Sequence, residues 1–173
     1  MPSAQGSGAA ELRDMTWDLA GSENSENDAE KYLTFFIDQT LYAISSFQVL
    51  EILPYEKITK IPRLPDFIKG VVNIRGKIIP VLDLAMVMGK EPARYTEETC
   101  LILVEDGNTV LGLLVDRVND VSSVEKAGIT EYSKLIGDKG GDFVSGICKT
   151  ATQTAMILDI HKVLAVETPA RSR

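Results

Sequence analysis

One stretch, residues 68–84, constrains the fold more than any other part of the chain. In it, two apolar runs flank a polar turn, and Arg75 stands at the apex of that turn. The apolar residues at 71–74 and 78–82 predict two strands, the second of which is buried on nearly all sides. Gly76 supplies the backbone freedom that a tight turn needs. The sequence therefore predicts a strand-turn-strand unit that presents one cationic side chain at its rim.

The second strand of this unit carries two further signals. Pro80 has no N–H to donate, so it predicts that the strand lies at a sheet edge or is bulged at this residue. Asp83 belongs to the residue types that cap helices, and the apolar residues within 84–88 predict one short helix directly after it. Gly89 predicts the end of that helix.

The chain also repeats itself. A shift of 69 residues superposes Ala43 on Gly112, and a shift of 76 superposes Gly70 on Gly146, with the same turn and strand signals around each pair. Each half then holds about five short strands and one helical turn. All-β units of this size reduce their exposed edges by curling into small barrels, so two packed barrels are predicted. Chance similarity among apolar strands is the alternative explanation.

The repeat separates residues that the fold needs from residues that it does not. Asp83 corresponds to Asp159, as a shared capping role requires. Arg75 corresponds to Ala151, so the second strand-turn-strand unit is expected to form without a cation at this position. An exposed guanidinium beside an apolar groove suits recognition of another protein.

Composition excludes several classes of protein. A chain of 173 residues with a mean hydropathy near zero can bury a real core. No apolar run reaches the roughly 18 residues of a spanning helix, and no signal peptide opens the chain, so a cytoplasmic protein without membrane insertion is expected. The net charge of −7 argues against nucleic acid as a partner, because phosphate binding needs a basic face.

The residues also argue against an enzyme. His161 is the one histidine, and its position beside the terminal helical turn favours a surface residue over a ligand. A lone imidazole cannot make a metal site. No nucleophile elbow and no phosphate-binding loop with the required glycine spacing is present. Cys100 and Cys148 lie in apolar strand-like runs, which favours reduced core thiols over a disulfide. We therefore expect no catalytic residue, no cofactor and no metal.

The motifs resemble those of a known family. The run Gly70-Val-Val-Asn-Ile-Arg-Gly76, followed by Ile78-Ile-Pro-Val-Leu-Asp-Leu84, is similar to the characteristic motif of the CheW family, the coupling proteins of bacterial chemotaxis. Supporting motifs are Tyr42-Ala43-Ile44 and the run at 112–116. The likeness extends from about residue 32 to residue 166.

The resemblance implies a mostly β fold: two five-stranded SH3-like β-barrels packed on a shared hydrophobic seam, with a few short helices. A CheW-like domain at 31–168 would lie between an N-terminal tail at 1–30 and a C-terminal tail at 169–173. The acidic composition of the N-terminal tail predicts disorder, and the alternative is a short docking peptide centred on Trp17.

The resemblance further implies a non-enzymatic adaptor. It would join the cytoplasmic helical hairpins of chemoreceptors to the histidine kinase CheA, whose regulatory domain is itself CheW-like. The alternative is a CheW-like adaptor of a non-flagellar array that controls twitching or gliding motility.

Six positions match those at which the family binds receptors. Gly70 would allow close backbone approach, and Arg75 and Glu51 would orient the partner through charge-assisted bonds. Apolar contact would come from Val49, Val118 and Val121. Structural roles stay open for most of them: the valines as core, the glycine as a turn residue and the glutamate as an ordinary solvated charge.

Overall fold

The structure is a computed structural model that describes residues 29–55, 58–92, 94–131 and 143–165. The tails expected at 1–30 and 169–173 therefore lie almost wholly outside the described residues. The strands are β1 (Ala29–Ile37), β2 (Thr40–Ser45), β3 (Val49–Pro54), β4 (Ile68–Ile74), β5 (Lys77–Asp83), β6 (Cys100–Asp106), β7 (Thr109–Val115), β8 (Arg117–Glu125), β9 (Ile129–Glu131), β10 (Val144–Lys149) and β11 (Thr154–Leu158). The helices are α1 (Leu84–Val87) and α2 (Ile160–Leu164), and short 3₁₀ turns occupy Ser46–Gln48 and Lys126–Gly128.

The strands form two antiparallel-rich sheets. One has six strands in the order β8-β1-β2-β11-β10-β9, and the other has five in the order β3-β6-β7-β5-β4. Within the described residues no ladder joins the two edge strands of either sheet. The prediction of a mostly β protein with a few short helices is confirmed.

Each sheet takes strands from both halves of the chain. The six-stranded sheet combines β1 and β2 with strands of the second half, and the five-stranded sheet combines β6 and β7 with strands of the first half. The halves thus exchange their first hairpins, whereas the sequence led us to expect each half to curl up by itself. The repeat explains this difference, because two similar hairpins suit either unit and local sequence does not choose between them.

The predicted repeat is visible in the strand pairing. A bulge between Ile68 and Gly70 in the β4–β5 pair recurs between Val144 and Gly146 in the β10–β11 pair. The short parallel pairing of β5 with β7 recurs between β11 and β2. Chance similarity of apolar runs does not place bulges and parallel contacts at matching positions, so the repeat is structural.

The caps of the two helices repeat as well. Asp83 accepts hydrogen bonds from the first turn of α1, and Asp159 accepts one from the first turn of α2, as the sequence predicted. The backbone N–H of Asp83 also donates to the Phe67 carbonyl at 2.8 Å, and that of Asp159 donates to the Phe143 carbonyl at 2.8 Å. Gly89, at φ 80°, follows α1 where its end was predicted.

Apolar side chains form three clusters. The largest lies between the sheets and joins residues of both, among them Phe35, Ile44, Leu82 and Leu113. Each sheet has a second cluster of its own on its other face. Because both faces of the central strands are buried, these strands are apolar along their whole length instead of alternating. The shared hydrophobic seam is confirmed.

Pro80 lies in a different setting from the one predicted. β5 stands between β7 and β4, so it is not an edge strand, and the β4–β5 bulge lies on β4. Opposite Pro80, Val71 exchanges both of its backbone hydrogen bonds with Thr59, at 2.9 Å each, so the nitrogen of Pro80 faces the β7 side. The ladder to β7 begins only at Val81. At Pro80, β5 therefore pairs only with β4, and the missing N–H costs no hydrogen bond to β7.

One strand was not predicted. β9 has three residues and pairs with β10. Its counterpart in the other sheet is the single bridge between Thr59 and Val71 at the edge of β4. Three residues give too short a pattern for a strand to be predicted from periodicity.

The structure also gives the environment of the two cysteines, of the histidine and of the helices. Cys148 is buried, Cys100 is partly buried, and both are free thiols. His161 is exposed, as predicted, and its Nδ1 lies 2.8 Å from Asp106 Oδ2. None of the helices that the structure describes is long and apolar enough to span a membrane.

Candidate partner-binding site

Arg75 lies in a strained turn between β4 and β5. Ile74 pairs with Lys77, so Arg75 and Gly76 form a two-residue hairpin turn in which φ is 52° and 86° respectively. Such turns favour asparagine or glycine at their first position, since other residues are strained at positive φ. Asn73 Oδ1 supports the turn by accepting a hydrogen bond from the Gly76 N–H at 3.0 Å. The chain thus keeps an arginine where its backbone conformation does not favour one.

Arg75 and Glu51 form a bidentate ion pair. The guanidinium Nη1 and Nη2 donate to Oε1 and Oε2 at 2.9 and 3.0 Å. This hydrogen bonding raises the pKa of Arg75 above its usual value, so the side chain stays cationic. Glu51 is on β3 and Arg75 follows β4, which are the opposite edges of one sheet. The sheet must therefore curl to bring these two predicted site residues together.

The ion pair lies on the surface and has no counterpart in the other half. The Arg75 side chain is 73% exposed. At the equivalent positions stand Ala151 and Asp120, and Asp120 accepts hydrogen bonds from Thr34 and Ser122 at 2.9 and 3.1 Å. Since the other sheet folds with these residues, the fold does not require the Arg75–Glu51 pair.

Three large apolar side chains on the same elements are exposed. Phe47 precedes β3, Leu50 is its second residue, and Ile78 is in β5; they are 64%, 51% and 62% exposed. We call these three residues, with Arg75 and Glu51, the Arg75 surface. The positions equivalent to the apolar three hold polar residues, namely Asp116, Asn119 and Thr154. These three apolar residues were not predicted from the sequence, although they differ from their polar equivalents in the other half.

The three predicted valines lie elsewhere on the seam. Val49 is on β3, whereas Val118 and Val121 are on β8, the edge strand of the other sheet. All three are half-buried and pack against the central cluster. Val49 and Val118 are equivalent in the repeat. A shared core role therefore accounts for them, and their exposed parts stay available to a partner.

Gly70 is explained by the chain itself. It is buried at φ 145°, and a Cβ atom on it would lie 2.2 Å from the Thr59 carbonyl oxygen. The equivalent Gly146 faces the Thr130 carbonyl oxygen in the same way, at 2.9 Å. Gly70 was expected to allow a partner to approach the backbone closely, but it is Thr59 of this chain that makes the close approach. We therefore leave Gly70 out of the candidate site.

The described residues also contain no group of three or more His, Cys, Asp and Glu side chains that could hold a metal ion. A cation paired with a carboxylate, together with exposed apolar side chains on the same elements, can orient and hold a protein partner.

Comparisons with known proteins show the family to which this chain is similar. A family model described as "CheW-like domain" matches residues 31–168. The chemotaxis protein CheW of Klebsiella aerogenes is 32% identical over 142 residues, covering 82% of this chain and 86% of that protein. Protein FrzA of Myxococcus xanthus is 31% identical over 137 residues, covering 78% and 85%.

A solved structure is similar as well. The crystal structure of the scaffolding protein TtCheW from Thermoanaerobacter tengcongensis matches with a TM-score of 0.71 and 32% identity, over 80% of this chain and 94% of that one. The match of the family model at 31–168 spans strands of both sheets and the motif that carries Arg75. The chain therefore belongs to the CheW family.

Proposed function

We propose that this chain, a CheW-family coupling protein, binds the cytoplasmic helical hairpin of a chemoreceptor at the Arg75 surface and passes the receptor state to the kinase CheA. The observation that carries the proposal is the exposed Arg75–Glu51 pair in a strained turn, which the other half of the chain does without.

The chemistry of the Arg75 surface fits a helical partner. Arginine has five N–H donors, and Glu51 takes two of them, so three remain for a partner carboxylate or carbonyl. Phe47, Leu50 and Ile78, which are exposed on the same elements as the ion pair, supply apolar contact. Amphipathic helices bind such surfaces through an apolar face flanked by charges. The half-buried Val49 extends the apolar area along β3.

The adaptor role needs a second contact with the regulatory domain of the kinase. Each contact can be weak, because an array supplies many neighbours at high effective concentration. A receptor shift changes kinase activity only if the two contacts are energetically coupled. No step in this scheme makes or breaks a covalent bond.

Two substitutions at Arg75 test the proposal. Arg75→Ala removes the guanidinium, and Arg75→Asn removes it while placing at the turn a residue that tolerates positive φ. We expect both variants to lose receptor-fragment binding by at least about tenfold, as loss of an interface anchor does. The thermal midpoint should change by less than about 3 °C for Arg75→Ala, since exposed ion pairs contribute little, and should not fall for Arg75→Asn.

The repeat supplies matched controls. Phe47→Asp, Leu50→Asn and Ile78→Thr introduce residues that the other half already holds at equivalent positions, so they should fold and lose binding. Asn119→Ala and Thr154→Ala change the equivalent surface of the other sheet and should bind normally. Normal binding by folded Arg75→Ala, or an equal loss in the Asn119 and Thr154 variants, would contradict the proposed surface.

A second kind of receptor-kinase array is a candidate for the one that this chain serves. The identity to FrzA, 31%, is nearly that to the Klebsiella CheW, 32%, so an adaptor of a non-flagellar receptor-kinase array is the alternative. Pull-down experiments against the regulatory domains of candidate kinases distinguish the two, because only the cognate domain should retain the chain.

A further inference from the structure

A second surface feature lies at the other end of β4. A cavity of about 400 Å³ opens beside the connection between β3 and β4, and Lys60, Arg63 and Lys69 line it. Lys69 stands near the start of β4 and Arg75 follows its end, so about 20 Å of strand separates the cavity from the Arg75 surface. We call this cavity, lined also by Ile61 and Tyr95, the cationic cleft.

The charges of the cationic cleft are not neutralised. Among the described residues none of its three cations forms an ion pair, and the nearest polar partner of Lys69 is Met86 Sδ at 3.9 Å. Of the lining residues that the structure describes, Asp66 alone is acidic. The cleft is therefore a locally positive site on a chain whose net charge is −7. An occupant with negative charge is favoured.

The cleft is also apolar. Ile61 and Tyr95 are among the few large apolar side chains that are exposed, at 42% and 45%. Tyr55 stacks on Tyr95 with ring centroids 4.6 Å apart. Arg63 has φ 69°, a strained backbone conformation for a residue other than glycine. An acidic segment that carries apolar or aromatic side chains would fill such a site.

The chain contains a segment of that composition. Residues 11–19, outside the described residues, read Glu-Leu-Arg-Asp-Met-Thr-Trp-Asp-Leu. They hold three carboxylates against one cation, together with four large apolar side chains. We propose that residues 11–19 bind the cationic cleft of their own chain, with Trp17 against the tyrosine pair and the carboxylates against Lys60, Arg63 and Lys69.

The tether makes this contact feasible. Nine residues, 20–28, separate the segment from Ala29 at the start of β1, and extended chain spans about 30 Å over that number. A domain of this size has a radius of gyration of about 14 Å, so a tether of about 30 Å gives the segment access to much of the domain surface. A short tether gives an effective concentration in the millimolar range, at which even weak binding is populated.

This inference does not depend on the proposed function. The segment would fill the cationic cleft and leave the Arg75 surface free. Receptor binding and segment binding can therefore be measured and lost separately.

The full-length chain carries its own probe, because Trp17 is its one tryptophan. If residues 11–19 are bound, Trp17 emission lies at shorter wavelength than in a free peptide of residues 9–20. The acrylamide quenching constant of the chain should be at least about twofold lower than that of the peptide. Salt should reduce the difference, because it screens the contacts between exposed charges but not the apolar contact of Trp17.

Charge reversals locate the binding site. Lys60→Glu, Arg63→Glu and Lys69→Glu together should expose Trp17 to the level of the peptide. The control replaces Lys126, Lys149 and Lys162, exposed cations on other elements, with Glu and should leave Trp17 protected. Glu11→Lys, Asp14→Lys and Asp18→Lys should also expose Trp17. Combining the tail and cleft reversals in one chain should restore protection, which a misfolded variant would not do.

Several outcomes would overturn the inference. If Trp17 at low salt is as exposed in the full chain as it is in the peptide, the segment is not bound. Protection that survives the cleft reversals places the segment elsewhere. Protection that grows with protein concentration shows that the segment binds a second copy and not its own chain.

Discussion

At the scale of single residues, Arg75 and Arg63 share an uncommon backbone state. The described residues include three that are not glycine and have positive φ, and two of these are the exposed arginines at 63 and 75. Asparagine would suit such positions better. Each arginine lines a surface for which we propose a binding role, so both positions give up some stability to present a cation.

Gly70 provides the sharpest test of a purely structural residue. Gly70→Ala should lower the free energy of unfolding by about 3 kcal/mol or more, because the new Cβ meets backbone and φ is positive. Gly146→Ala should cost about 1 kcal/mol, since its contact is looser and its φ is not strained. Chemical denaturation measures both.

Gly128→Ala is the matched control, because a Cβ there meets nothing within 4 Å. It should leave stability within about 0.5 kcal/mol of the parent chain. A Gly70→Ala chain as stable as this control would contradict the assigned role of Gly70.

Asp116 should make stability depend on pH. Its Oδ2 accepts a hydrogen bond from the Asp38 N–H at 2.6 Å, whereas its Oδ1 is buried without a partner among the described residues. Burial raises the pKa of Asp116, against the opposing effect of the Asp38 hydrogen bond. The folded chain therefore binds this proton more tightly than the unfolded chain, and stability falls as the pH rises from the unfolded pKa, near 4, through the raised pKa.

Asp116→Asn removes the titrating group and keeps an oxygen that can accept from Asp38. In thermal unfolding between about pH 4 and pH 7, the variant should lose part of the decline seen in the parent chain. An identical pH dependence in both chains would show that the Asp116 pKa is not raised.

At the scale of elements, the two capping aspartates keep short helices in place at equivalent corners. A four-residue helix is not stable alone, so its cap and its packing must define it. Asp83 is fully buried and accepts from the N–H groups of Ala85 and Met86, whereas Asp159 is half-buried and accepts from Lys162. The same residue type is therefore expected to contribute unequally to stability in the two halves.

The caps should therefore differ in a stability measurement. Asp83→Ala should cost about 2 kcal/mol or more, because it leaves buried N–H groups unsatisfied. Asp159→Ala should cost about 1 kcal/mol, since water can replace the lost acceptor. Urea unfolding of the two variants checks the order, and an equal or reversed cost would contradict it.

At the scale of the whole molecule, the exchange of hairpins makes the two halves depend on each other. A chain cut near residue 95 would separate β1–β2 and β6–β7 from the strands that complete their sheets. Residues 1–95 would keep the hairpins β1–β2 and β4–β5, and residues 96–173 would keep the hairpin β6–β7 and the short strands β9, β10 and β11. Isolated two-stranded hairpins are marginally stable in water.

Fragments 1–95 and 96–173 should therefore be unfolded alone and fold when mixed. Amide NMR spectra should be poorly dispersed for each fragment and well dispersed for the equimolar mixture. A well-dispersed spectrum from either fragment by itself would show that one half forms an independent unit.

The sequence alone determined most local structure of this protein. Hairpin positions, the caps at Asp83 and Asp159, the repeat and the exposed Arg75 follow from turn chemistry and apolar pattern, which act over a few residues. The resemblance to the family added the three valines and Glu51 to the predicted partner-binding site.

Tertiary structure decided which residues that are far apart in the chain come into contact. The choice of sheet for each hairpin, the pairing of Arg75 with Glu51 across two sheet edges and the packing of Gly70 on Thr59 depend on how the sheets curl. Similar hairpins in a repeated chain fit either sheet locally, so only the free energy of burying the shared core selects among the arrangements.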